Sequence, residues 1–377
     1  MDQHYLFSAP GRTEICGNHT DHQHGAVLAA AVDLETVADV TLNGTNIIRV
    51  RSEGYDPVEI DLSDLSIHRD EVNTTAALIR GVAAEFVRRG ADVKGFDASV
   101  RSTVLPGSGL SSSAAFEVLL GTICNELFFD CQLNPVQIAQ IGQYAENVYF
   151  GKPCGLMDQT ASSVGNLVFI DFEDPADPAV EKINFDFSQS GHALCIIDSG
   201  ADHADLTDEY AAIPGELKQL CALFDREYLR QIPESEFLAA LPRLRRQISD
   251  RAILRAIHFY QENRRVFRQA TALKQGDFNT FLRLTRESGR SSWMYLQNIT
   301  PAGAVDHQDM AVALALCETL LGDKGAFRVH GGGFAGTVQA FVPMDMLDSF
   351  KTGIEAVLGE GSCHVLQIRP HGGVRIR

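Results

Sequence analysis

The segment that most restricts the fold runs Pro106-Gly107-Ser108-Gly109-Leu110-Ser111-Ser112-Ser113-Ala114-Ala115. It follows a strand-like stretch, 94–105 (KGFDASVRSTVL), and leads into an apolar stretch at about 113–128 that reads as a buried helix. Pro106 ends the strand, because it has no N–H to give to a ladder. Gly107 and Gly109 permit close backbone approach and unusual φ values. The serines supply hydroxyls and cap the helix. Strand, loop and helix start together turn several free N–H groups and the positive end of a helix dipole toward one spot, an arrangement that suits a polyphosphate. The segment is not a P-loop, since no Gly-Lys-Ser/Thr follows. Taken alone it also reads as an ordinary turn ahead of a helix.

Composition narrows the partners. The 377 residues suffice for roughly two to three domains. Apolar residues make up 45% and charged residues 21%, ordinary globular usage, so disorder is not expected. With 49 acidic against 32 basic residues the formal net charge is −17, which argues against nucleic acid and membrane surfaces as partners. An anion bound here must be met by local positive charge, backbone N–H groups or a metal. No apolar run approaches the roughly 18 residues of a membrane span, and MDQHYLFSAPGR does not read as a signal peptide. The eight cysteines form no C-x-x-C pair and read as reduced thiols, which suits a cytoplasmic protein.

Residues 26–42 read as strand, and 46–51 with 57–62 as short strands around a Glu53-Gly54-Tyr55 turn. Helices are expected over 73–89 and 135–149, the second with Pro135 in its first turn and Gly151 just past its end. Residues 166–171 and 193–198 are strand-like, 215–290 are helical in composition, and from 326 the chain returns to strand, glycine loop and strand. The shift in composition near residue 200 places an expected boundary between domains 1–195 and 196–377.

Four ordered segments resemble the GHMP kinases, and within them the galactokinases. The glycine-serine loop looks like that family's ATP loop. Ala9-Pro10-Gly11-Arg12, with Gly17-Asn18-His19-Thr20-Asp21 and Gly25, resembles its N-terminal signature. Cys154-Gly155-Leu156-Met157-Asp158-Gln159 resembles its catalytic segment, and Gly331-Gly332-Gly333-Phe334-Ala335-Gly336 its third glycine motif. The resemblance implies a two-domain α+β fold: an N-terminal domain like domain 2 of a small-subunit ribosomal protein, a C-terminal ferredoxin-like domain, and an active site in the cleft between them. It also implies transfer of a phosphoryl group from ATP to the C1 hydroxyl of galactose.

The same resemblance assigns roles. Pro106, Gly107, Ser108, Gly109, Leu110, Ser111, Ser112 and Ser113 are expected to hold ATP. Ser113 and Glu146 would carry Mg²⁺, which favours hard oxygen ligands. Asp158 lies 12 residues after Glu146 at an expected helix start, where a helix dipole favours the anion. It would take or orient the acceptor proton, with Arg12 fixing it and neutralising charge on the transferred group. Asn18, His19, Asp21, Gly155 and Tyr210 would read the sugar. Galactokinases usually carry Glu where this chain has Asn18. The lost charge brings galacturonate and N-acetylgalactosamine into view as alternative substrates. A silent sugar and ATP sensor is a further alternative, disfavoured by the intact Ser113-Ala114 pair and by Asp158. The implied partners are the sugar and ATP, with a monomer expected. His19, His22 and His24 are not read as a metal cluster. Arg243, Arg245, Arg246, Arg251 and Arg255 are expected on a solvated helix face, and Trp293 and Met294 are expected to pack.

Overall fold

The structure is a computed structural model that describes residues 3–104, 109–201 and 206–377. Pro106, Gly107 and Ser108 lie outside the described residues. In chain order the strands and helices are β1 (His4–Cys16), β2 (Ala26–Leu42), β3 (Ile47–Ser52), β4 (Val58–Asp61), α1 (Thr75–Arg88), β5 (Phe96–Ser102), α2 (Ser112–Phe128), α3 (Pro135–Tyr144), α4 (Met157–Val164) and β6 (Leu167–Asp171). There follow β7 (Ala179–Ile183), β8 (His192–Asp198), α5 (Thr207–Ala222), α6 (Glu234–Leu244), α7 (Asp250–Lys274), α8 (Phe278–Ser291), α9 (Asp309–Leu321), β9 (Ala326–His330), β10 (Thr337–Pro343), α10 (Leu347–Leu358), β11 (Cys363–Leu366) and β12 (Val374–Arg375).

The chain forms two compact units. One comprises 1–13, 30–168 and 368–377, the other 14–29 and 169–367. The expected division at 195/196 coincides with none of the four points at which the chain passes from one unit to the other. A cut there would pass through β8, whose residues pair with β10 from Asp198↔Thr337 to His192↔Pro343. Composition registered the onset of the long helices, but strand pairing decides which unit a segment joins.

The first unit is a sheet in the order β12-β1-β2-β5-β3-β4. β2 and β5 run antiparallel from Thr36↔Ser102 to Leu42↔Phe96, and β3 lies parallel to β5. In β5, Phe96, Ala98 and Val100 are buried while Asp97 and Ser99 are exposed, so one face packs and the other meets water. The packed face joins α1, α2 and α3 in a core built around Phe7, Val40, Ile48, Phe86, Phe96, Leu119 and Ile123. Helix α2 supplies Val118, Leu119, Leu120, Ile123 and Cys124 to this core, the burial its apolar composition predicts.

The second unit carries an antiparallel sheet in the order β11-β8-β10-β9. Within it the chain runs strand, helices, hairpin strands, helix and strand, the βαββαβ arrangement of ferredoxin-like domains. α9 and α10 cover it through Leu314, Cys317, Phe350 and Ile354. Helices α5, α6 and α7 form a further core with Leu217, Leu220, Phe237, Phe259 and Tyr260.

Two side-chain environments differ from those expected. Arg255 is not solvated. It is wholly buried on α7, where its guanidinium donates to Glu216 (2.8 Å) and to the Leu296 carbonyl (3.1 Å). A buried cation persists only when paired in this way. Trp293 and Met294 do not pack inward. They are 46% and 58% exposed on a π-helical turn after α8, while Leu296 of the same turn is buried. All eight cysteines are free thiols, six of them buried, and among the described residues no helix is long and apolar enough to cross a membrane.

Candidate active site

In the first unit four segments converge. β1 delivers Arg12, and its backbone N–H donates to the Leu110 carbonyl (3.0 Å), which binds the strand to the serine loop. Ser111 stands at the N-cap of α2 with φ +56°, a left-handed conformation uncommon for a side-chain-bearing residue and a mark of functional loops. α4 carries Asp158 in its first turn, and the Ser162 hydroxyl of that helix donates to the Pro10 carbonyl (2.7 Å). Helix α3 is held at its start by a capping box of Asn134 and Gln137. It ends at Tyr144 and widens into a π-helical turn, Ala145–Phe150, which presents Glu146. Sequence periodicity extended that helix to 149, because it cannot register a change from one hydrogen-bonding span to another.

Arg12 and Asp158 meet side-on. Nε and Nη2 of the guanidinium donate to Oδ1 and Oδ2 of the carboxylate, each at 2.7 Å. Nη1 donates to the Gly109 carbonyl, and the Ser111 hydroxyl donates to Asp158 Oδ2. Burial by itself would raise the Asp158 carboxyl. The Arg12 charge and its hydrogen bonds, the Ser111 hydroxyl and the Lys152 charge outweigh that and hold it below the usual carboxylate range. The aspartate is therefore an anion at neutral pH, with 32% of its side chain accessible.

Beside this pair, the Ser113 hydroxyl and Glu146 Oε1 are 3.5 Å apart, and Lys152 Nζ is 3.6 Å from the same oxygen. A hydroxyl and a carboxylate oxygen, with only long contacts between them, form a hard donor pair suited to Mg²⁺. Behind Glu146 lie two residues that the motifs did not single out. Glu117 and Gln159 are both wholly buried, and the Gln159 amide nitrogen donates to Glu117 Oε2 and Glu146 Oε2, each at 2.9 Å. Burial, then the Glu146 charge, pushes the Glu117 carboxyl well above its usual range. Gly155 is exposed in the turn before α4.

A cavity of about 350 Å³ opens against Ser112 and Ser113 and is lined also by Ser52, Glu53, Tyr55, Thr75, Leu78, Val100, Val104 and Phe116. Its apolar walls and scattered hydroxyls are those of a small-molecule site. In the sequence Tyr55 is legible only as a turn residue. The signal available was its place in a short loop between β3 and β4, of which β3 pairs with β5, the strand leading into the serine loop.

In the second unit the N-terminal signature meets the third glycine motif. His19, with φ +60°, places Nε2 2.9 Å from the Gly332 carbonyl. A carbonyl only accepts, so Nε2 carries the proton and Nδ1 is left as an acceptor. Nδ1 is buried with no partner among the described residues. Burial, with His22 nearby, lowers the His19 pKa to about 3, so the ring is neutral at neutral pH. The Tyr210 hydroxyl donates to the Gly333 carbonyl (2.8 Å), and its ring meets Phe334 edge-on. The Asp21 side chain is mostly buried, 4.0 Å from His22. His24 stacks on Tyr228, and among the described residues no group of three His, Cys, Asp or Glu side chains is arranged to hold a metal.

Asn18 is placed differently from what was expected of a sugar-reading group. It is wholly buried. Its amide nitrogen donates to the Gly331 carbonyl (2.6 Å) and Glu14 Oε1 (3.4 Å), and its oxygen accepts from Asn298 (2.9 Å) and Ser292 (3.2 Å). All four hydrogen-bonding positions of the amide are thus engaged by the protein.

Gly333 must be glycine for this meeting to occur. Its φ is +86°, and a Cβ there would stand 2.0 Å from the Asn298 carbonyl oxygen. Gly333→Ala is expected to remove about 3 kcal/mol of stability, read by urea unfolding, and to raise the sugar KM.

Known proteins match along almost the whole chain. Residues 77–166 match the model described as GHMP kinases N terminal domain, and residues 2–41 the galactokinase galactose-binding signature. A galactokinase from Streptomyces coelicolor is 32% identical, over 98% of this chain and 93% of its own length. The chain belongs to the galactokinase family of GHMP kinases. Its fold also superposes on the galactose complex of Lactococcus lactis galactokinase with a TM-score of 0.82, at 24% identity over 99% and 95% of the two chains. Methanococcus jannaschii mevalonate kinase follows the same fold at a TM-score of 0.69 and 12% identity, over 97% of this chain and 98% of its own. Galactokinases and their GHMP relatives use ATP with Mg²⁺, so this family member is a phosphotransferase with a sugar hydroxyl as acceptor.

Proposed function

We propose that this chain transfers the γ-phosphoryl group of ATP to the C1 hydroxyl of galactose, giving galactose 1-phosphate and ADP. The observation that carries the reading is the side-on Arg12–Asp158 pair, held against the Gly109 carbonyl and the Ser111 hydroxyl. Phosphoryl transfer depends mainly on positioning and on neutralising charge around the moving group. Asp158, kept anionic by Arg12, orients the acceptor hydroxyl and receives its proton. Arg12 neutralises charge on the transferred group. The loop at 106–113 carries the phosphates at the start of α2. Ser113 and Glu146 supply oxygen ligands for Mg²⁺, which would draw charge from the phosphates when bound.

Within the second unit His19 Nδ1 is an acceptor suited to a sugar hydroxyl, and Asp21 and Tyr210 are its companions as sugar contacts; for Gly155, in the first unit, the sugar-reading role rests on the family motif alone. Asn18, engaged on every side, supports that site from behind. Its saturation removes the support that the missing charge gave to galacturonate and N-acetylgalactosamine. A silent sensor is disfavoured by Ser113, Ala114 and the intact Arg12–Asp158 pair. ADP release with a sugar panel tests the reading: turnover with galactose is expected, and tight binding of galactose and ATP without ADP release would overturn it.

The cavity beside Ser112 and Ser113 takes the nucleotide base, with Tyr55 and Phe116 as aromatic walls. Tyr55→Ala is expected to raise the ATP KM about tenfold, the loss of one aromatic contact of about 1.4 kcal/mol, while kcat and the sugar KM stay near wild type. Steady-state kinetics with ATP varied checks it.

A further inference from the structure

A carboxylate that binds a metal must present one chosen oxygen, and Glu146 has a built means of doing so. Its two oxygens face different company. Oε1 lies toward the Ser113 hydroxyl and Lys152, at 3.5 and 3.6 Å, whereas Oε2 receives a 2.9 Å hydrogen bond from Gln159. The Gln159 nitrogen donates to two carboxyl groups, Glu146 on the turn after α3 and Glu117 on α2, each at 2.9 Å, and has a longer contact of 3.7 Å to the Cys154 sulfur. Gln159 is itself on α4, one residue after Asp158. One amide therefore couples three separate segments of the first unit. The space around it is full: a Cβ on Gly142 would come within 3.1 Å of Glu117 and 3.2 Å of Gln159. Two oxygens, Glu117 Oε1 and Gln159 Oε1, are buried with no partner among the described residues. Leaving buried polar atoms unmatched is unfavourable, and a well-packed apolar trio would satisfy the fold without that penalty.

We propose that Gln159 is the positioning residue for Glu146. By binding Oε2 it turns Oε1 toward Ser113 for Mg²⁺, and Glu117 is the anchor that fixes the Gln159 amide. The inference rests on Glu146 as a ligand of Mg²⁺. It differs from a role in folding, because it ties Gln159 to the metal dependence of the reaction.

The test measures the free Mg²⁺ concentration for half-maximal rate at saturating ATP and sugar, together with Mn²⁺ binding in the presence of ADP by electron paramagnetic resonance. Outer partners of metal ligands commonly change affinity by about 10–100-fold. Gln159→Met, similar in volume and without N–H donors, is expected to raise the Mg²⁺ requirement by about tenfold or more and to weaken Mn²⁺ binding, with the sugar KM near wild type. Glu117→Gln, which still offers an oxygen to Gln159, is expected to keep most of the wild-type metal response, and Glu117→Leu to lose it. Wild-type Mg²⁺ dependence and Mn²⁺ binding in Gln159→Met overturn the proposal. Should that variant not fold, Gln159→Asn is read instead, since it is one methylene too short to reach both carboxylates, and an unchanged metal response in it is equally decisive. Glu146→Gln is run beside them. If it leaves the Mg²⁺ requirement unchanged, the ligand assignment itself falls. If it shifts the requirement and Gln159→Met does not, only the positioning role falls.

Discussion

Asp158→Asn is expected to lower kcat by about a thousandfold, in the range of a positioned proton acceptor, while the ATP KM changes by less than about threefold. Asparagine keeps the size of the side chain and can still accept from Ser111, but it takes no proton and offers Arg12 no charge. An activity within about tenfold of wild type would refute the assignment. The pH profile supplies an independent sign. The Arg12 charge and hydrogen bonds, Ser111 and Lys152 hold the Asp158 carboxyl below its usual value against burial. The acid limb of kcat/KM attributable to this group therefore lies below about pH 4, where an ordinary aspartate titrates. Asp158 favours the folded state at pH above its unfolded value, and that contribution fades as pH falls through its folded value. In Arg12→Met the largest opposing influence is gone and burial weighs more heavily, so the acid limb moves to higher pH. A profile that stays in place would show that Arg12 does not set the charge of Asp158.

Arg12 and Asp158 are 146 positions apart, yet both stand in motifs legible in the sequence. The motifs can be read because the segments around them carry punctuation with physical content: proline ends a strand, glycine admits close approach, and a serine run opens an apolar helix. The strands and helices that sequence patterns reveal are those whose burial is written in local composition, such as β5 with its alternation of buried and exposed residues and α2 with an apolar run buried on all sides. What stayed hidden depends on partners distant in sequence. Gln159 stands inside a motif already quoted, but its meaning comes from Glu117 on one helix and Glu146 on another. Arg255 belongs to a run of arginines that reads as solvated, and only Glu216 on α5 explains its burial. The division into units was hidden for the same reason: residues 14–29 belong with the later half of the chain through long-range contacts that no local composition reveals.

Asn18 is the residue whose meaning changes most, and substituting it is expected to act on the fold before it acts on sugar preference. Position 18 has lost the negative charge usual in the family, but a carboxylate stands beside it. Glu14 Oε1 is 3.4 Å from the Asn18 amide nitrogen and is neutralised by the buried guanidinium of Arg328. Asn18→Asp would replace an N–H donor with an oxygen facing the Gly331 carbonyl and the Glu14 carboxylate, putting acceptor against acceptor and charge against charge. Asn18→Glu adds a methylene to the same conflict in a wholly buried site. An uncompensated buried charge destabilises by about 3–5 kcal/mol, which for a unit of this size lowers Tm on the order of 10 °C. The glycine loop at 331–332 loses its tie, and His19, whose Nε2 rests on Gly332, loses its register with it. Turnover on galactose, galacturonate and N-acetylgalactosamine should therefore fall together in Asn18→Glu, with Tm falling in parallel. A variant that keeps the wild-type Tm but reorders the three sugars would instead make Asn18 a direct reader of the substrate, and its four protein partners would then have to yield to the sugar when it binds.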